Sequence, residues 1–176
     1  KRDMNIDASQ KISKPLLDKQ EVLHCPVLLN EVIEYISPKD GRCYLDCTFG
    51  AGGYTRAILN KASCFVTSLD RDPTTLSFAN KLSEEFKDRF QFIQTNFADA
   101  KDRLNGKQFD GIVLDLGISS MQVDSAERGF SFMRDGALDM RMSLDGVSAV
   151  DFVANSSEEE IANVIYKYGQ EVQSRQ

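Results

Sequence analysis

From Pro26 the apolar residues Leu28, Leu29, Val32, Ile33 and Ile36 recur at the three- and four-residue steps of one helix face, and Pro38 stops the run. Four short apolar runs then alternate with helical stretches. Cys43 to Cys47 reads as a strand, followed by a glycine turn and a helix through Arg56, Ala57, Ile58 and Leu59. A second run, CFVTSLD, ends at Asp70. Asp72 and Pro73 offer an N-cap and a first-turn proline for a helix bearing Leu76, Ala79, Leu82 and Phe86. A third strand is predicted over Phe90 to Phe97, then a short helical piece, then a fourth strand over Phe109 to Gly117. Strands alternating with helices predict an α/β fold with a parallel sheet.

The texture changes after Gly117. Ile118 to Met142 mixes serines and glycines with Arg128, Arg134 and Arg141, and Phe130 and Phe132 stand between them. A loop of that length is more often functional than incidental. Val147 to Ala154 and Glu158 to Tyr168 read as helices; a capping box of Ser156 with Glu159 opens the second and Gly169 closes it. Lys1 to Gln20 is polar without a period and reads as a flexible arm.

Composition narrows the class. The 176 residues are 41% hydrophobic, enough for one core, and no apolar run approaches the roughly 20 residues that span a bilayer. A formal net charge of −6 excludes a whole-surface electrostatic grip on nucleic acid but not a local basic patch. Cys25, Cys43, Cys47 and Cys64 form no CxxC pair and sit in apolar runs, as reduced buried thiols do, which points to a reducing compartment. His24 beside Cys25 gives two neighbours, not a metal ligand set, so no metal site is predicted. The chain opens on Lys1, so a removed leader would leave no trace.

The turn DCTFGAGGYT carries the chemistry. Asp46 ends its strand, and Gly50, Gly52 and Gly53 follow, as where backbone must approach something closely. In doubly wound α/β folds ligands sit at such strand ends. Asp70 lies roughly twenty residues on, the spacing at which a carboxylate accepts ribose hydroxyls. Both features fit an adenosine-containing cofactor, while a plain tight turn explains the glycines alone. A GxGxxG pattern laid from Gly50 meets Thr55 where its third glycine should stand, and no Walker lysine follows. That disfavours an NAD-dependent oxidoreductase.

The blocks HCPVLLNEVIEYISP, DCTFGAGGYT, LDRDP, TNFAD, DLGISSMQVD and RGFSFMRDGALDMRM together resemble the RsmH/MraW family of S-adenosylmethionine (SAM)-dependent methyltransferases. Members of that family methylate the exocyclic N4 of a cytidine in small-subunit ribosomal RNA. The likeness runs from His24 to Gly169. The cysteines, and Tyr54 where bacterial members commonly carry histidine, look closer to the animal mitochondrial version, which implies the mitochondrial matrix.

The resemblance implies a Rossmann-like fold with strand order 3-2-1-4 and SAM as cofactor. Gly52, Gly53 and Tyr54 would line its methionine end, Asp70 would hold the ribose, Phe97 would flank the adenine, and Asp115 and Gln122 would close the site. Catalytic residues stay unassigned. Asp115 in DLGI stands where amine methyltransferases place an acceptor for the attacking N–H, but without the prolines and aromatic that usually follow. The arginine and phenylalanine loop is either an RNA contact or a structural loop on the glycine turn. On this reading 1–20 is the arm, 21–125 the cofactor-binding part, and 126–176 a substrate loop with the beginning of a helical part.

Family members continue past Gly169 with further strands, whereas VQSRQ departs from their pattern. The expectation is a truncated chain with an open fourth strand. Self-association through that strand or the helical segment is expected, as is poor methyl transfer. The alternative function is a non-catalytic SAM-binding or partner-binding form.

Overall fold

The computed structural model describes residues 26–176; the polar arm at 1–20, together with His24 and Cys25, lies outside the described residues. The order is α1 (Leu29–Ile36), β1 (Cys43–Asp46), α2 (Gly53–Lys61), β2 (Phe65–Asp70), α3 (Leu76–Phe86), β3 (Phe90–Gln94), α4 (Ala100–Arg103), β4 (Gly111–Val113), α5 (Ser120–Asp124), α6 (Ala149–Asn155) and α7 (Glu158–Gly169). The strands form one parallel sheet in the order β3-β2-β1-β4. That is the expected Rossmann-like α/β architecture.

The two faces of the sheet are covered unequally. On one face Tyr44, Val66, Phe90 and Val113 pack against Ile58 and Leu59 of α2 and Ala79, Leu82 and Phe86 of α3, with α1 laid alongside. On the other, among the described residues, Leu45, Cys47 and Leu69 meet Ile93, Ala100, Leu104 and Phe109. Fully burying one such aliphatic side chain is worth about 1.5–3 kcal/mol, so the first face carries most of the stability. Cys47 and Cys64 are buried free thiols and Cys43 is half-buried and free; burial pushes the Cys47 and Cys64 thiols up.

Several predicted boundaries move, each for a local polar reason. The third strand stops at Gln94 because the Asn96 side chain accepts the Ala98 N–H and caps a 3-10 turn at Phe97–Asp99. The fourth shrinks to Gly111–Val113. At one end the Asp110 carboxylate takes the Cys43 N–H; at the other the Asp115 N–H goes to the Thr48 hydroxyl, so the ladder cannot extend. The capping box of the last helix is Ser157 with Glu160, one residue later than expected, because Ser156 ends α6 with its N–H on the Phe152 carbonyl. Gly169 lies inside α7, and Gln170 supplies the left-handed cap.

Among the described residues β4 pairs with β1 alone, so its outer side is a sheet edge, and Ile112 and Leu114 are exposed there. No helix of the described residues is long and apolar enough to cross a membrane.

Candidate functional site

A cavity of about 310 Å³ opens at the carboxyl ends of the strands. That is within the size range of small-molecule sites. Its floor is the turn Cys47–Ala51, and its sides are Asp70–Asp72 after β2, Phe97 after β3 and Asp115–Gln122 after β4. Pro26 and Val27 close it from the N-terminal side, and Met142 closes it from the loop beyond α5.

The glycines divide by role. Gly50 has φ +54° and open space where a side chain would begin, so its backbone faces the cavity bare. Gly53 lies under Pro26, whose ring would sit 2.2 Å from an added Cβ. Gly52, expected to line the cofactor, does not line the cavity. It holds φ +84°, and a Cβ there would meet the Phe49 ring at 2.9 Å and Leu82 at 3.2 Å, so its smallness serves the core. Thr55, where a dinucleotide fingerprint wants its third glycine, is buried; its hydroxyl donates to Asp46 Oδ2 at 2.7 Å and accepts from Ser68 at 2.7 Å.

Four acids surround the turn, and each has a different fate. Asp46 is fully buried beneath it, and burial pushes its carboxyl up to about 6 in spite of the Thr55 hydroxyl and the Thr48 N–H. Asp70 lines the cavity, with Oδ2 accepting the Gly50 N–H at 2.8 Å and Oδ1 the Asp72 N–H at 2.9 Å. Burial raises it as well, against those hydrogen bonds. The carboxylate has acceptor capacity beyond these bonds for a ligand hydroxyl. Asp72 is 2% exposed, and burial opposes its charge. The Thr74 N–H and hydroxyl, the Gln122 amide and the Arg128 guanidinium outweigh burial and hold it below the usual carboxylate range. Asp115 is exposed at the mouth; among the described residues its carboxylate meets the Tyr54 hydroxyl at 3.4 Å.

Tyr54 is buried, and its hydroxyl donates to the Val27 carbonyl at 2.6 Å, tying the N-terminal strap to α2. Phe97 is half exposed at the cavity edge. Gln122, assigned to the site by the resemblance alone, is 5% exposed and doubly held. Its Nε2 donates to Asp72 Oδ2 at 2.8 Å, while its Oε1 accepts the Ser119 N–H in a capping box. The motif Ser119-x-x-Gln122 was legible as that box.

The arginine loop splits. Arg128 is 6% exposed and turned inward, with NH1 on Asp72 Oδ2 at 2.9 Å and NH2 on the Arg141 and Met142 carbonyls at 2.9 and 3.0 Å. Arg141 pairs with Asp139, holding that carboxyl down to about 2. Arg134 donates to the Asp124 carbonyl, and Phe132 beside it is 96% exposed. All three arginines therefore bond within the loop, and of the three Arg134 is the exposed one, beside Phe132 at the surface.

The profile of the MraW methylase family matches residues 21–176. Ribosomal RNA small subunit methyltransferase H of Rickettsia massiliae is 59% identical over 152 residues, covering 86% of this chain and 50% of that protein. The same-named protein of Rickettsia felis is 57% identical with the same coverage. The chain thus spans about half the length of the curated relatives it matches. A solved rRNA methylase from Streptococcus thermophilus overlaps 49% of this chain and 53% of its own, at 16% identity and a TM-score of 0.44, too slight an overlap to add to the argument. Neither the fold nor these relatives supports the expected pairing of two copies through β4.

Proposed function

This chain belongs to the MraW methylase family, and from that premise we propose that its cavity binds SAM and serves methylation of the exocyclic N4 of a cytidine in small-subunit ribosomal RNA. The observation that carries the reading is the sign of charge around the cavity. Among the described residues, Asp70 and Asp115 line it with no cation bonded to them, Asp72 is neutralised by Arg128, and Arg71 is the one basic residue of the lining. A negative rim suits a sulfonium with an ammonium group and opposes the two charges of a dinucleotide pyrophosphate. The N-terminus of α2 at Gly53 adds the positive end of a helix dipole, toward which a ligand carboxylate would turn. These residues fit the cofactor: Asp70 would accept its ribose hydroxyls, Phe97 would flank the adenine, and Gly50 would leave backbone bare against it.

When bound, SAM supplies an electrophilic methyl group to an amine that approaches in line. Lining residues hold that approach in one geometry, which supplies much of the rate in such displacements. Asp115 at the mouth would accept an N–H of the amine, localising a lone pair otherwise spread into the ring. A base stacked in a helix cannot reach this depth, so the target is unstacked, and Phe132 and Arg134 offer a stacking face and a cation for it. A mitochondrial setting belongs to the same proposal and rests on the cysteines and Tyr54; imaging a tagged full-length protein tests it.

Tritium-methyl transfer from SAM to small-subunit RNA, run on this chain beside a full-length relative, tests the function. Label confined to the N4 of one cytidine supports it. Label on another atom or another RNA contradicts it.

A further inference from the structure

Arg128 lines no part of the cavity, and its sequence neighbours suggested an RNA contact, yet it is among the most enclosed charges in the molecule. Its guanidinium joins one side-chain carboxylate to two backbone carbonyls. NH1 reaches the carboxylate that ends the β2 turn, and NH2 reaches two successive carbonyls, of Arg141 and Met142, on the returning limb of the loop. Its own carbonyl accepts the Met140 N–H, closing the limb from the other side. Among the described residues Nε has no partner, while the other nitrogens are committed.

The segment held this way is strained. Met140 and Leu144 adopt φ of +60° and +63°, so left-handed residues bracket Arg141, Met142 and Ser143. Such conformations persist in non-glycine residues only where the surroundings over-determine them, and they gather at ligand clamps. Met142, between them, is the loop residue that lines the cavity. A second tie, Arg71 to the Ser143 hydroxyl at 3.2 Å, joins the same limb to the residue beside Asp72. On the opposite flank Gln122, also lining the cavity, hangs from the same Asp72 oxygen that Arg128 holds.

We propose that Arg128 is a positioning residue for the cofactor: through Asp72 on one side and the Arg141 and Met142 carbonyls on the other, it sets Gln122 and Met142 as one preformed wall of the cavity. The inference rests on the SAM reading and extends it to a residue that touches no cofactor. Without the clamp the limb samples other arrangements, and affinity falls in proportion to the fraction of molecules with the wall in place.

Arg128→Lys tests this, because lysine keeps a cation for Asp72 and cannot bridge two carbonyls in a planar fork. Titration calorimetry of the folded variant with SAM should show about tenfold or greater weakening, with far-UV dichroism unchanged. A residue that only stabilised the loop would shift melting and leave the affinity of folded molecules alone. Hydrogen exchange on the unaltered chain gives a second readout should the variant not fold. The Met140, Ala149 and Val150 amides, which bond across the loop and do not line the cavity, should exchange more slowly once SAM is added. Wild-type affinity in folded Arg128→Lys, or exchange at those amides indifferent to SAM, overturns the inference while the SAM reading stands. An unaltered chain that binds no SAM overturns both.

Discussion

Between Ser119 and Ser148 the buried side chains are Gln122, Arg128 and Ser148, all polar; between Tyr44 and Phe90 most are apolar, Ile58, Leu59, Val66, Leu69 and Leu82 among them. One region is held by area removed from water, which is non-directional and forgives small shifts. The other is held by a few directed bonds meeting at Asp72, whose geometry is fixed but whose loss is abrupt. The cavity lies where the two meet. The apolar region supplies a rigid floor at the strand ends, and the polar region supplies a wall that a single carboxylate positions.

Arg128→Met should have the largest effect. It leaves Asp72 buried without its cation, which costs about 3–5 kcal/mol in denaturant unfolding. Adding Asp72→Asn should recover much of that loss, because the amide oxygen keeps an acceptor for the Thr74 N–H while the orphaned buried charge is removed. A double variant no better than the single one would mean that the loop is held by packing after all, and the contrast would fail.

Gly52→Val probes the apolar side. It combines a left-handed φ with a collision against the Phe49 ring, and should cost about 2–4 kcal/mol in a thermal melt. The resemblance implies cofactor contact at Gly52. Its position against Phe49 and Leu82 makes the substitution a test of the core.

Asp46→Asn should have a smaller effect, and one that depends on pH. The folded carboxyl stands near 6, above its ordinary value of 3.8, so the folded state binds more protons between those values. Stability from this group is therefore highest below pH 4, falls as pH rises toward 6, and stays low beyond. Asparagine keeps the acceptor for Thr55 and removes the charge. Relative to wild type it should gain up to about 3 kcal/mol between pH 4 and 7.5, read from melts across that range. A constant difference would show that Asp46 carries no buried charge.

How far the sequence reached follows the same division. The strands and the helices α1 to α3 were legible because apolar period and turn chemistry agree there, as at Asp72-Pro73, where the Asp72 side chain caps the turn as expected. Strand ends were misread at Phe97 and Gly117 because side chains of Asn96, Asp110 and Thr48 take over the backbone groups, and no period reports that. At the site, Asp70, Gly53, Tyr54, Phe97, Asp115 and Gln122 do line one cavity, while Gly52 does not. Composition left Arg128 open, as part of either an RNA contact or a structural loop on the glycine turn. Its burial depends on Asp72, 56 positions earlier, and a pairing across that distance has no local signature.

The charge around the cavity is the claim on which the functional reading stands, and calorimetric titration of the chain with SAM, its demethylated product and NAD tests it most directly. The account predicts saturable binding of SAM, weaker binding of the product that lacks the sulfonium charge, and no measurable heat with NAD. Binding of NAD, or a product held more tightly than SAM in low salt, would contradict it.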